Sequence, residues 1–176
     1  SAMITGPLSE TVSGRLAVGS HQSDGYYENG FLRTKKNNAQ DEVSIRGKLR
    51  AEISESWMLD FTLSHVDVDN GYDAFSLDNT RHTLSDQPGH DRQETTAFAL
   101  SSTWTGHHAF ELKTLVSWSD SNLEYSYDED WSYSGLCAGA PCDGWEYSST
   151  DSYRRDRQAS RVEMRFTSTE AGRLAG

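Results

Sequence analysis

Three cations recur at every second position, Arg46, Lys48 and Arg50, and that spacing sets them on one face of an extended strand. Such a row attracts an anionic ligand or an acidic neighbouring surface. It also suits cross-strand pairing with Glu52, Glu111 and Glu163. Arg15, Arg161 and Arg165 fall on the wet faces of their own alternating segments. A second group is aromatic: Trp131, Tyr133 and Trp145 stand in one long polar segment, where they can stack on a flat ligand or the apolar face of a sugar. Cys137 and Cys142 enclose Ala-Gly-Ala-Pro. An even cysteine count in a short Gly/Pro loop predicts a local disulfide and an oxidising compartment, against the alternative of two free thiols. No further zinc ligands accompany the pair.

Other candidates have plainer readings. Asp67-Val-Asp-Asn-Gly-Tyr-Asp73 resembles a calcium loop but misses the D-x-[DN]-x-[DN]-G spacing, so a solvated turn is expected. Tyr127-Asp-Glu-Asp-Trp131 has the residues to hold a cation or a ligand, yet as a charge run beside aromatics it reads as loop surface. His107-His108 lacks a third ligand and reads as a turn. There is no G-x-S-x-G elbow, no Walker-type loop and no carboxylate pair placed for acid–base work. An enzyme is not expected, nor a metal or cofactor. A net charge of −11 argues against nucleic acid as a partner.

The elements that must position these residues are strands. Val43, Ile45, Gly47, Leu49, Ala51 and Ile53 alternate with polar residues, Ser54-Glu55-Ser56 turns the chain, and Trp57, Leu59, Phe61 and Leu63 alternate on the way back. Each arm has the length of a membrane-crossing strand, roughly 9–11 residues, where soluble strands centre on about 5–6. A wet face, an apolar face and an aromatic at the rim describe a transmembrane barrel hairpin. Similar alternation marks Val12–Gly19, Thr95–Trp104, Phe110–Trp118 and Arg161–Thr167, giving about six antiparallel up-and-down strands in an all-β fold. The connections alternate long and short, so the long loops gather on one edge and the tight turns on the other, with Trp57 and Trp104 beside the tight turns. Charge divides in the same way. Six of the 27 acids lie in Asp67–Arg92 and nine in Asp120–Asp156, each stretch with two arginines, while most cations lie in the alternating segments.

Ser13-Gly-Arg-Leu-Ala17 with Asp24-Gly-Tyr-Tyr-Glu-Asn29, then Asp41-Glu-Val-Ser-Ile-Arg-Gly-Lys-Leu-Arg50, Asn70-Gly-Tyr-Asp-Ala-Phe75, Ser85-Asp-Gln-Pro-Gly-His-Asp91 and Glu163-Met-Arg-Phe-Thr-Ser168 resemble, in order and spacing, barrel strands of TonB-dependent outer-membrane receptors. The resemblance covers nearly all of residues 4–176; Ser1-Ala2-Met3 looks like a remnant of tag removal. It implies part of a barrel of about 22 strands around a plug, in the outer membrane of a Gram-negative bacterium. Such receptors import a scarce nutrient, an iron chelate before cobalamin or a sugar, with energy delivered by TonB. The implied partners are outer-membrane lipid, the nutrient, and the TonB complex through segments other than these. In this setting Trp131, Tyr133 and Trp145 would belong to extracellular loops, and Arg46, Lys48 and Arg50 would face the lumen. The rival reading is a secreted carbohydrate-binding β-sandwich with the same loop aromatics as its platform. Excised into water, the apolar sheet face is expected to self-associate.

Overall fold

The computed structural model describes residues 1–136 and 148–169. Cys137, Cys142 and Trp145 lie outside them, so the expected disulfide and the third loop aromatic do as well. The described chain is all-β, with strands β1 (Ala2–Pro7), β2 (Val12–Ser23), β3 (Glu28–Asn29), β4 (Gln40–Ser54), β5 (Trp57–Tyr72), β6 (His82–Thr83), β7 (Gly89–Trp104), β8 (Phe110–Asp128) and β9 (Thr150–Ser168). Seven form one antiparallel meander in the order β1-β2-β4-β5-β7-β8-β9, and β3 pairs with β6 as a short parallel ribbon.

The expectation of about six strands is one short. β1 brings Ala2 and Met3 into the sheet, where Ala2 pairs with Val18 and Ile4 with Leu16. Its sequence hides it: adjacent Met3 and Ile4 break the alternation, and Pro7 is tolerated only because this is an outer strand. Long connections (24–39, 73–88 and 129–149) and short turns (8–11, 55–56 and 105–109) fall on opposite edges, as the alternation predicts. The short turns are stapled to their neighbours. Glu52 N donates to Thr11 O at 2.8 Å, Thr105 N to Ser56 O at 2.8 Å, and Thr169 N to Ala109 O at 3.0 Å.

The strands run well past the apolar alternation. β5 and β7 have 16 residues each, β8 and β9 have 19. Asp67–Tyr72, expected as a solvated turn, completes β5, and much of the acidic stretch after Asp120 is β8 and β9 rather than loop. In these extensions the apolar residues change face: Val66, Val68 and Tyr72 on β5 and Leu123, Tyr125 and Tyr127 on β8 lie opposite the side that carries Leu63 and Val116, so the alternation breaks phase and only the hydrogen-bond register carries the strand through.

Following that register divides the sheet into two faces. One holds Ile4, Leu16, Val18, Val43, Ile45, Leu49, Phe61, Leu63, Phe98, Leu100, Val116 and Val162 in a continuous band. No described residue covers it: Leu63, Leu100 and Val116, on strands with neighbours on both sides, remain 48, 41 and 43% exposed. The most buried side chains are polar instead, Asn29, Thr83 and Ser85, at the long-loop edge. This is the reverse of a water-soluble domain, whose interior is apolar.

The upper limit of the band is stepped, highest on β4 and level over β5, β7 and β8. It is reached at Val43 on β4, at Leu63, Phe98 and Trp118 in one register row, and at Val162 one row lower. On β2 it is reached at Val18, opposite Ile45. Directly above it the same face turns polar through a ladder in which His65 meets Thr96 at 2.9 Å and Gln158 donates to Asp120 at 2.7 Å. Beyond that, Arg92 pairs with Asp69 at 2.5 Å and Arg154 with Glu124 at 3.0 Å.

Candidate functional site

The three long connections fold together over the end of the sheet's polar face. They have few apolar residues to pack, so side-chain hydrogen bonds hold them. Asn29 Nδ2 donates to Asp73 Oδ2 at 2.8 Å and to the Ser85 carbonyl at 2.7 Å. Thr83 Oγ1 donates to the same Asp73 oxygen at 2.8 Å, and Ser85 Oγ donates to Asp128 Oδ2 at 2.6 Å. Asp130 accepts from Ser132 Oγ at 2.7 Å and from Ser149 N at 2.9 Å. Each connection thereby bonds to the next. Backbone packing requires glycine at two strand ends: a Cβ on Gly89 would stand 1.7 Å from Ser126 O, and one on Gly71 would stand 2.3 Å from Asn37 O.

Asp128 and Asp130, expected on the loop surface, are buried, as is Asp73. Burial, reinforced by the neighbouring Asp130 carboxylate, pushes the Asp128 carboxyl above the usual range, although the Ser85 hydroxyl opposes this. Burial acts on Asp130 in the same direction, but its hydrogen bonds from Ser132 and Ser149 carry it below. The two neighbouring carboxyl groups are therefore shifted in opposite directions.

Aromatic side chains surround this network. Trp131, in a left-handed conformation at φ 57°, stacks on Phe75 at 4.9 Å and remains 37% exposed. Tyr133 stacks on Phe31 at 4.4 Å. Phe75 also meets Tyr72 and Tyr127 edge-on, and Tyr72 meets Tyr125 at 5.1 Å. By register Tyr72, Tyr125 and Tyr127 continue the polar face. Burial raises the Tyr125 and Tyr127 hydroxyls. Trp131 and Tyr133 therefore belong to one aromatic mouth, each seated on a phenylalanine from a different connection.

The expected cation row lies lower on that face and divides in two. Arg50 pairs with Asp60 at 2.7 Å, while Arg161 and Arg165 both reach Glu163. Arg15, Arg46 and Lys48 make no ion pair among the described residues. Arg15 stands directly opposite Lys48, an arrangement that costs stability unless an anion answers it.

No family profile, no curated protein and no solved structure matches the chain. Sequence reasoning reached Trp131, Tyr133 and the cations, set Asp73 aside as part of a solvated turn, and missed Asn29, Phe31, Phe75, Thr83 and Ser85 as members of the site. The available signal was the glycines: Gly71 and Gly89 sit where strand ends meet other backbone, which marks packed rather than free connections.

Proposed function

We propose that the chain is part of the barrel of a TonB-dependent outer-membrane receptor. It is non-enzymatic and imports a small nutrient, an iron chelate ahead of cobalamin or a sugar. The observation that carries the membrane part is the uncovered apolar band on one sheet face. A membrane barrel shows lipid this face, turns a polar face to its lumen, and tilts its strands by about 35–45° to the membrane normal. Trp57 and Trp104, directly paired on adjacent strands, with Phe110 and Phe166 beside them, form an aromatic girdle next to the short turns. The receptor reading rests in addition on the family resemblance of the sequence.

On this reading the long connections are extracellular. The mouth at Trp131 and Tyr133 meets the nutrient, and Arg15, Arg46 and Lys48 offer unpaired positive charge to an anionic chelate or to the acidic side chains of a plug. Seven of the described strands form one sheet, and the two-residue strands β3 and β6 that pair beside it are too short to be the second sheet of a carbohydrate-binding sandwich. Uptake of a radiolabelled ferric chelate by cells producing the whole receptor tests the proposal. Accumulation should require TonB and should fall for Trp131→Ala and Tyr133→Ala. Uptake indifferent to TonB would overturn it.

A further inference from the structure

The polar face can be followed row by row across the sheet. One row runs Arg15, Lys48, Thr62, Ala99, Ser117 and Arg161. The row above it holds Arg46, Ser64, Ala97 and Ser119, and the next holds Thr95, Ser121 and Arg157. These three rows contain five cations and no acid, in a chain whose net charge is −11. Arg15, Arg46, Lys48 and Arg157 make no ion pair among the described residues, and Arg161 shares the Glu163 carboxylate with Arg165. A concavity of about 530 Å³ opens beside the Arg15–Lys48 pair, with Thr5, Ser13 and Thr62 in its wall. Asp60 lines it too, but its charge is already met by Arg50. Two cations directly opposite each other repel, so the component that would settle them is negative.

We propose that this cationic field binds a small solute with two or more oxyanion groups, carboxylate or phosphate. One group sits between Arg15 and Lys48 in the concavity, and a second is answered by Arg46 one row above. A guanidinium takes an oxyanion through two parallel N–H bonds, and the hydroxyls of Thr5, Thr62 and Ser64 can donate to its remaining oxygens. In the lower two rows β5, β7 and β8 offer only Thr62, Ser64, Ala97, Ala99, Ser117 and Ser119. That floor has no aromatic or large apolar side chain for a protein surface to pack on, so a small hydrogen-bonding anion fits it better than an acidic polypeptide. On β9, Arg155, set over the Tyr153 ring at 5.0 Å, and Arg157 carry positive charge on the same face from the long-connection edge toward Arg161. A run of one sign steers an anion along the wall. The inference rests on the receptor reading only in giving this face to water, and it narrows the nutrient to a polyanion.

Titration calorimetry on the 176-residue chain in uncharged detergent micelles tests this, with propane-1,2,3-tricarboxylate and tripolyphosphate as the two probes. At least one should bind, and the tighter of the two names the oxyanion. Acetate, with a single carboxylate, should bind about tenfold more weakly or worse. Raising sodium chloride from 0.1 to 1 M shortens the screening length from about 10 to about 3 Å and should weaken the complex strongly. Arg15→Gln and Lys48→Gln should each lower affinity about tenfold, with far-ultraviolet circular dichroism unchanged, while Lys48→Arg should keep it. Arg92→Gln, on the opposite face and paired with Asp69, should leave binding intact. No binding by the parent chain would overturn the proposal. So would equal losses in Lys48→Gln and Arg92→Gln, which show only diffuse attraction. An oligoglutamate peptide that binds more tightly than both probes would assign the field to a protein partner and overturn it as well. Binding here does not involve TonB, so its failure and the failure of TonB-dependent uptake are separate results.

Discussion

Thr83 illustrates how much single hydroxyls matter where no apolar core exists. It has no exposed surface, and its Oγ1 donates one of the bonds that hold the Asp73 carboxylate between two connections. Thr83→Val keeps the shape and removes the donor, so the local structure should lose about 1–3 kcal/mol. Hydrogen exchange at the Gly30 amide, which bonds to the Thr83 carbonyl at 2.9 Å, reads this directly. Exchange should accelerate there and not in the centre of β7. This network was not legible in the sequence, because Asn, Ser, Thr and Asp in a glycine-bearing stretch are equally good at facing water. The cations were legible, since an alternating strand fixes their face. Which of them stay unpaired was not: the partner of Arg50 proved to be Asp60, a choice set by the cross-strand register.

Each central strand presents the apolar band on one side and polar surface on the other, so on the proposed membrane reading neighbouring residues should respond differently to the same substitution. Leu100 lies in the apolar band, and Ala99 on the polar face. Leu100→Arg should cost about 2–4 kcal/mol in a bilayer, as cations do at the midplane of a membrane barrel, while Ala99→Arg should cost far less. Urea unfolding of the two variants in lipid vesicles compares them. Further along β7, Gly89→Ala would drive a methyl group into the Ser126 carbonyl. It should open the β7–β8 pairing at that end, seen as faster exchange of the His90 amide, which bonds to Ser126 Oγ at 2.9 Å. The hairpins around Ser54-Glu55-Ser56 and Thr105–Ala109 could be read from alternation alone. The upper halves of β5, β8 and β9 could not, because in β5 and β8 the apolar residues change face after Leu63 and Trp118, which breaks the phase of the alternation, and the first half of β9 is nearly all polar.

For the whole molecule, the sequence revealed the segregation of long connections from short turns and the two-faced sheet, both of which follow from counting. The folding of the long connections into one hydrogen-bonded unit depends on contacts between residues 40 or more positions apart, such as Asn29 with Asp73 and Ser85 with Asp128. Such contacts leave no local trace. Seven strands between two outer edges, with an uncovered apolar face, cannot rest in water as an open monomer. About ten large side chains at roughly 1.5–3 kcal/mol each drive that face into cover. Light scattering should therefore show association in detergent-free buffer and a single small species in micelles. The central claim is that the band meets lipid while the opposite face meets water. Nitroxide labels placed singly at residues 97–102 of β7, with the native cysteines replaced by serine, test it most directly in micelles. Collision with oxygen should peak at 98, 100 and 102, and collision with a polar nickel chelate at 97, 99 and 101. Equal access to the chelate along the whole stretch would contradict the account.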